Sequence, residues 1–147
     1  MEHRGGVVEV ALGDARRSLQ QEVAQQFDVL LLDAFSGDSV PVHLLTREAF
    51  EIYRRHMKPG GIIAVHVSNR YLTLAPVIEK VAASIGWKTT RIGTEKEGFN
   101  EATDYLLVTN NETFLQANPP GPGADSPEPE ASLWTDQKHN LFEILND

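Results

Sequence analysis

Cysteine is missing from the 147 residues. That excludes a disulfide framework, a thiolate nucleophile and a Cys-based zinc site, and it fits a reducing compartment, so a cytoplasmic location is expected. Basic residues are scarce: 13 Lys and Arg stand against 21 Asp and Glu, a formal net charge of -8. Nucleic acid is therefore not an expected partner, since binding it takes a concentrated basic face that displaces counterions from phosphate. Long apolar runs are missing too. No stretch approaches the roughly 18 residues that cross a bilayer, and Met1-Glu2-His3-Arg4-Gly5-Gly6 is followed by no signal-like apolar core. His43, His56 and His66 lack the short His-x-x-x-His spacing of a zinc site, so no metal is expected. There is no internal repeat. What remains, at 41% hydrophobic content, is enough for one packed domain and too little for two.

The chain is organised around residues 27–41, where an apolar run ends in a carboxylate, a Gly-bearing loop and a proline. Val29, Leu30, Leu31 and Leu32 carry no polar residue on either face, the pattern of a parallel strand covered on both sides. Asp33 then stands at its carboxyl end, where open α/β sheets bind ligands, and Asp38 follows in the loop.

Elsewhere helices and strands alternate. Residues 7–12 read as a β-branched strand ending at Gly13, and Asp14 is placed to cap an amphipathic helix over 15–26. Thr46 is an N-cap with Glu48 in the first turn; Ala49, Phe50, Ile52, Tyr53 and Met57 form the buried stripe, and Lys58-Pro59-Gly60-Gly61 stops the helix. Residues 62–67 read as a second central strand. Thr73 can cap a helix with Pro76 in its first turn, whose apolar face is Leu74, Val77, Ile78, Val81, Ala82 and Ile85 and which Gly86 ends. Residues 87–92 and 105–109 read as antiparallel neighbours joined by a polar loop over 93–103. The pattern predicts an α/β fold: a mostly parallel sheet with an antiparallel end. Residues 117–132 hold five of the eight prolines and three acids with no basic residue, the composition of a flexible linker. A short helical segment within 133–147 is then expected to dock back on the domain over 1–116.

Several motifs in order carry a family resemblance. Gly13-Asp14-Ala15-Arg16, the run from Phe27 through Asp33 to Phe35, Pro41-Val42-His43-Leu44-Leu45-Thr46 and Gly60-Gly61-Ile62 resemble the second half of a spermidine synthase domain. His66-Val67-Ser68-Asn69-Arg70-Tyr71-Leu72 and Leu133-Trp134-Thr135-Asp136 are similar to the bacterial spermidine synthase-like proteins, some of which are fused to membrane spans. The resemblance covers nearly the whole chain outside the proline-rich segment.

It implies a Rossmann-like, methyltransferase-type fold and aminopropyl transfer from decarboxylated S-adenosylmethionine to an amine such as putrescine. An ammonium cannot attack until a base takes its proton. By motif, Asp33 is implied as that base, Asp14 and Ala15 as the pair holding adenine, Pro41 as a lining of the nucleoside site, and Ser36 and Asp38 as amine contacts. Two departures stand out: the family's loop has two acids separated by two residues, whereas Asp38 lies five beyond Asp33, and His66 lies near a family glutamine. No Gly-rich strand-to-helix turn or ribose-binding acid precedes residue 12. The expectation is a fold without its first strands, which alone binds no cofactor tightly and is inactive unless an amino-terminal half or another chain, such as a second copy in a homo-oligomer, completes it. The alternatives are a methyltransferase using S-adenosylmethionine itself, separable by activity with the two co-substrates, and a non-catalytic interaction module whose sheet edge pairs with a partner chain.

Overall fold

The computed structural model describes residues 5–33, 39–69, 71–94, 103–120 and 130–146. Four strands form one mixed sheet in the order β1-β2-β4-β3, with β1 at Phe27–Leu32, β2 at Met57–His66, β3 at Lys88–Thr94 and β4 at Thr103–Thr109. β1 runs parallel to β2, while β4 is antiparallel to both β2 and β3. The expected α/β sheet with an antiparallel end is present, with one parallel and two antiparallel pairings among the described strands in place of a mostly parallel majority.

Helix α1 covers Ala15–Gln21, α2 Arg47–Arg55, α3 Ala75–Ser84 and α4 Glu112–Ala117; single 3-10 turns occupy Val42–Leu44 and Leu141–Ile144. The core joins Phe50 and Tyr53 of α2 and Val77, Ile78 and Val81 of α3 to Ile63 and Val65 of β2 and Leu106 and Val108 of β4. Trp134 is fully buried in it, which fixes the carboxyl-terminal segment to the domain.

The helices follow local sequence. The Thr46 hydroxyl accepts from the Ala49 amide and caps α2, whose Ala49, Phe50 and Tyr53 turn inward. Ile52 is only partly buried, and Met57 already belongs to β2. The six apolar residues expected on α3 are all buried, and Gly86 turns the chain away at φ +75. Leu74 rather than Thr73 takes the N-cap position; the Thr73 hydroxyl donates to the Asn146 side chain instead. α4, capped by Asn111, was not expected.

Further expectations are corrected. Residues 7–12 form no strand, and Val7 is 96% exposed. β-branched residues favour a strand only where a neighbour completes the ladder, and no described residue pairs with these. Helix α1 stops at Gln21 rather than Gln26, because residues 22–27 leave the helix to bond α2's end: the Gln25 amide donates to His56 Nδ1 and the Phe27 amide to the His56 carbonyl. Finally, β1 is not covered on both faces. It lies at the sheet margin, with Leu30 and Leu32 packed toward the core and Val29 and Leu31 more than half exposed.

β2 begins at Met57 and runs through the Lys58-Pro59-Gly60-Gly61 segment expected to separate the helix from a strand over 62–67. A register shift between Phe27 and Val29 of β1 absorbs the extra residues, and Gly60 adopts φ +75 there. At the far end of the chain, Ala131 is buried and Ser132 donates to Glu143, so these two residues of the proline-rich segment pack on the domain.

Candidate functional site

Two polar clusters stand on the described residues. The first lies at the carboxyl ends of the parallel strands. Register pairs Leu32 with Val65, which sets Asp33, the next residue of one chain segment, beside His66, the last of β2. His66 Nδ1 and Asp33 Oδ1 are 3.0 Å apart. On the other side, His66 is the ladder partner of Tyr105, and their rings lie 5.1 Å apart at 31°. An imidazole is thus held between a carboxylate and a phenol ring. Its side chain is 22% exposed and that of Asp33 is 49% exposed. The carboxylate therefore remains accessible to a ligand while its orientation is restrained from one side. Ser36 and Asp38, expected to contact an amine, and Arg70 lie outside the described residues.

The second cluster joins α1, the 3-10 turn and the carboxyl-terminal segment. Asp14 caps α1 by accepting from the Arg17 amide at 2.9 Å, and its second carboxylate oxygen lies 2.7 Å from His43 Nε2. Those bonds, the Arg17 amide foremost and then the His43 side chain, hold the Asp14 carboxyl below its usual pKa. Arg16 reaches across to Asp136 with both terminal nitrogens, and Nη1 also donates to the His43 carbonyl at 2.7 Å. The Thr46 hydroxyl donates to Asp136 at 2.7 Å while capping α2. Arg16 first, then Thr46, lowers the Asp136 pKa.

These residues surround a cavity of about 510 Å³ whose lining includes Arg16, Pro41, His43, Thr46, Asp136 and His139. Val40, Pro41 and Val42 make its apolar wall. Pro41, which the resemblance implies as a lining of a nucleoside site, belongs to this wall. Asp14 and Ala15 are not in the lining; Asp14 reaches the wall through His43. Asp33 stands outside this cavity.

Arg16, His43 and Asp136 escaped the sequence reading as site residues. The Gly13-Asp14-Ala15-Arg16 and Leu133-Trp134-Thr135-Asp136 motifs are the available signal, yet no local pattern states that they touch. Among the described residues no cluster of three or more His, Asp or Glu could hold a metal, and no helix is long and apolar enough to cross a membrane.

Sequence comparison finds curated relatives for part of the chain. It is 30% identical over 87 residues to a polyamine aminopropyltransferase of Nitrosomonas europaea, covering 56% of this chain and 26% of the relative. It is 35% identical over 66 residues to a polyamine aminopropyltransferase of Vibrio vulnificus, covering 44% and 21% respectively. The chain thus spans about a quarter or less of the length of these relatives. No family model matches it. Among solved structures, MnmC2 from Aquifex aeolicus matches with a TM-score of 0.47 and 21% identity, over 67% of this chain and 30% of that one. The resemblance read from the motifs is thus supported by curated relatives.

Proposed function

We propose that this chain, similar in sequence to polyamine aminopropyltransferases, carries the proton-accepting group and part of the nucleoside pocket of a spermidine synthase-like enzyme. The observation that carries the reading is Asp33, an accessible carboxylate at the carboxyl end of β1, restrained by His66. In aminopropyl transfer, the amine nitrogen must surrender a proton before its lone pair can attack the carbon bonded to sulfur. Asp33 takes that proton; the freed lone pair then forms the carbon–nitrogen bond as the carbon–sulfur bond breaks, giving a secondary ammonium and a neutral thioether.

Decarboxylated S-adenosylmethionine is the co-substrate in this reading. The cavity beside α1 supports its nucleoside end: an apolar wall of Val40, Pro41 and Val42 suits a flat ring, and Asp14 and His43 offer polar contacts at the margin. Both Asp14 oxygens already have partners, so an adenine amine would share Oδ2 with His43.

The test is mass-spectrometric detection of aminopropylated product from decarboxylated S-adenosylmethionine and putrescine. Because the chain spans a quarter of its relatives, it is assayed alone and joined to the preceding part of the Nitrosomonas relative. Asp33→Asn is expected to lower turnover by at least about a hundredfold, since the amide keeps the shape but takes no proton. Near-normal turnover of this variant would eliminate Asp33 as the base. Product formed with S-adenosylmethionine itself, and none with the decarboxylated form, would transfer the assignment to methyl transfer.

A further inference from the structure

Asp33 follows β1 directly and could rotate about its side-chain bonds, and a base that wanders loses the alignment proton transfer needs. The neighbouring strand supplies a restraint. His66 is anchored at the last position of β2, opposite its ladder partner Tyr105, with its ring against Tyr105 and Nδ1 directed at one oxygen of Asp33. We propose that His66 is the positioning residue of Asp33: its Nδ1–H donates to Oδ1 and thereby presents Oδ2 to the ammonium proton. The inference rests on the reading of Asp33 as the base.

The role requires a proton on Nδ1. The Nδ1–H bond holds Oδ1, Oδ2 accepts the proton from the attacking amine, and the imidazole neither gains nor loses one during the step. The ring's contact with Tyr105 fixes the direction of the donor, as outer-shell partners fix the groups that do chemistry elsewhere.

Two substitutions separate this role from simple packing. His66→Phe keeps a ring against Tyr105 and removes the donor; His66→Gln removes the ring and keeps an N–H that can reach the carboxylate. If His66 only packs, Phe is silent and Gln is harmful. If it positions Asp33, the order reverses. Nuclear magnetic resonance on the 147-residue chain reads this without turnover. His66 is expected as the Nδ1–H tautomer, and the Asp33 carboxyl carbon resonance at pH 7.5 should move in His66→Phe and return toward its position in His66→Gln. In the transfer assay, His66→Phe should lower kcat about tenfold with KM nearly unchanged, with His66→Gln within about threefold of the parent.

An Nε2–H tautomer, or an Asp33 resonance indifferent to both variants, overturns the proposal whether or not the chain turns over. So does normal kcat in His66→Phe. The reading beneath it fails differently, through an active Asp33→Asn, and the resonance data still report whether His66 holds the carboxylate.

Discussion

Arg16 and Asp136, 120 positions apart, meet as a fork against a carboxylate, with Nη1 2.7 Å from Oδ1 and Nη2 on Oδ2. The contact ties α1 to the segment behind the buried Trp134, and through Thr46 to the start of α2. Three parts of the chain distant in sequence are thereby closed around one cavity. The Arg16 side chain is 16% exposed and that of Asp136 40%, so water screens the pair in part. A double-mutant cycle on Arg16→Ala and Asp136→Ala, read by urea unfolding, should give a coupling of about 1 kcal/mol, at the upper end for exposed pairs because the contact is bidentate. Additive single losses would show that the fork carries no coupling.

Acid should remove that contribution. The Asp136 and Asp14 carboxyls are held below their ordinary pKa by bonds present only in the folded chain. A depressed folded pKa gives stability that is present above the unfolded value, about 3.9, and is lost as pH falls through the folded value. The stability gap between the parent and Asp136→Asn should therefore be constant from pH 7 to about 5 and shrink below about 4. Unfolding curves at fixed salt check this; a gap that persists at about pH 2 would place its origin in packing rather than charge.

Gly61 meets a tighter constraint. A Cβ at that position would lie 2.9 Å from Met57 Cε and 3.0 Å from the carbonyl oxygens of Lys58 and Phe27. Met57 can move, but the two carbonyls belong to β2 and its neighbour β1 and cannot retreat without disturbing the pairing. Gly61→Ala is expected to destabilise by about 1 to 3 kcal/mol, the usual range for overpacking. Calorimetry should register a lower Tm. An unchanged Tm would mean that the shifted register between Phe27 and Val29 gives way easily.

Local signals explain what the sequence made legible. Thr46 before Ala49, Phe50 and Tyr53, and Pro76 before Val77, Ile78 and Val81, each specify a helix start and a buried face within a few residues. Asp33 is legible because a strand's carboxyl end is likewise a local property. The burial of β1 was not legible, since Val29, Leu30, Leu31 and Leu32 read alike on both faces and only the number of neighbouring strands decides which face is covered. Residues 7–12 failed for the same reason: strand propensity without a partner specifies nothing. Asp136 was hidden by distance, because a contact with Arg16 leaves no periodic trace in either segment.

That exposed margin supports the last prediction. β1 pairs with β2 on one side, and no described strand pairs with its other side, so alternate β1 backbone groups face outward. Val29 is 59% and Leu31 55% exposed, and alternation puts both on one face of the sheet. An apolar edge with open backbone groups is a template for another strand, and natural edges are commonly guarded by charge. Asp28 supplies one, but Lys58 lies 3.0 Å away and offsets it. The 147-residue chain is therefore expected to self-associate as its concentration rises, reported by light scattering. Leu31→Lys should suppress this while leaving Tm within a few degrees, because a half-exposed side chain contributes little core burial. Hydrogen exchange should in parallel find the outward β1 amides fast at low concentration and slower once the chain associates. A parent that stays monomeric at high concentration, or a Leu31→Lys variant that associates just as readily, would refute the edge as the origin of assembly.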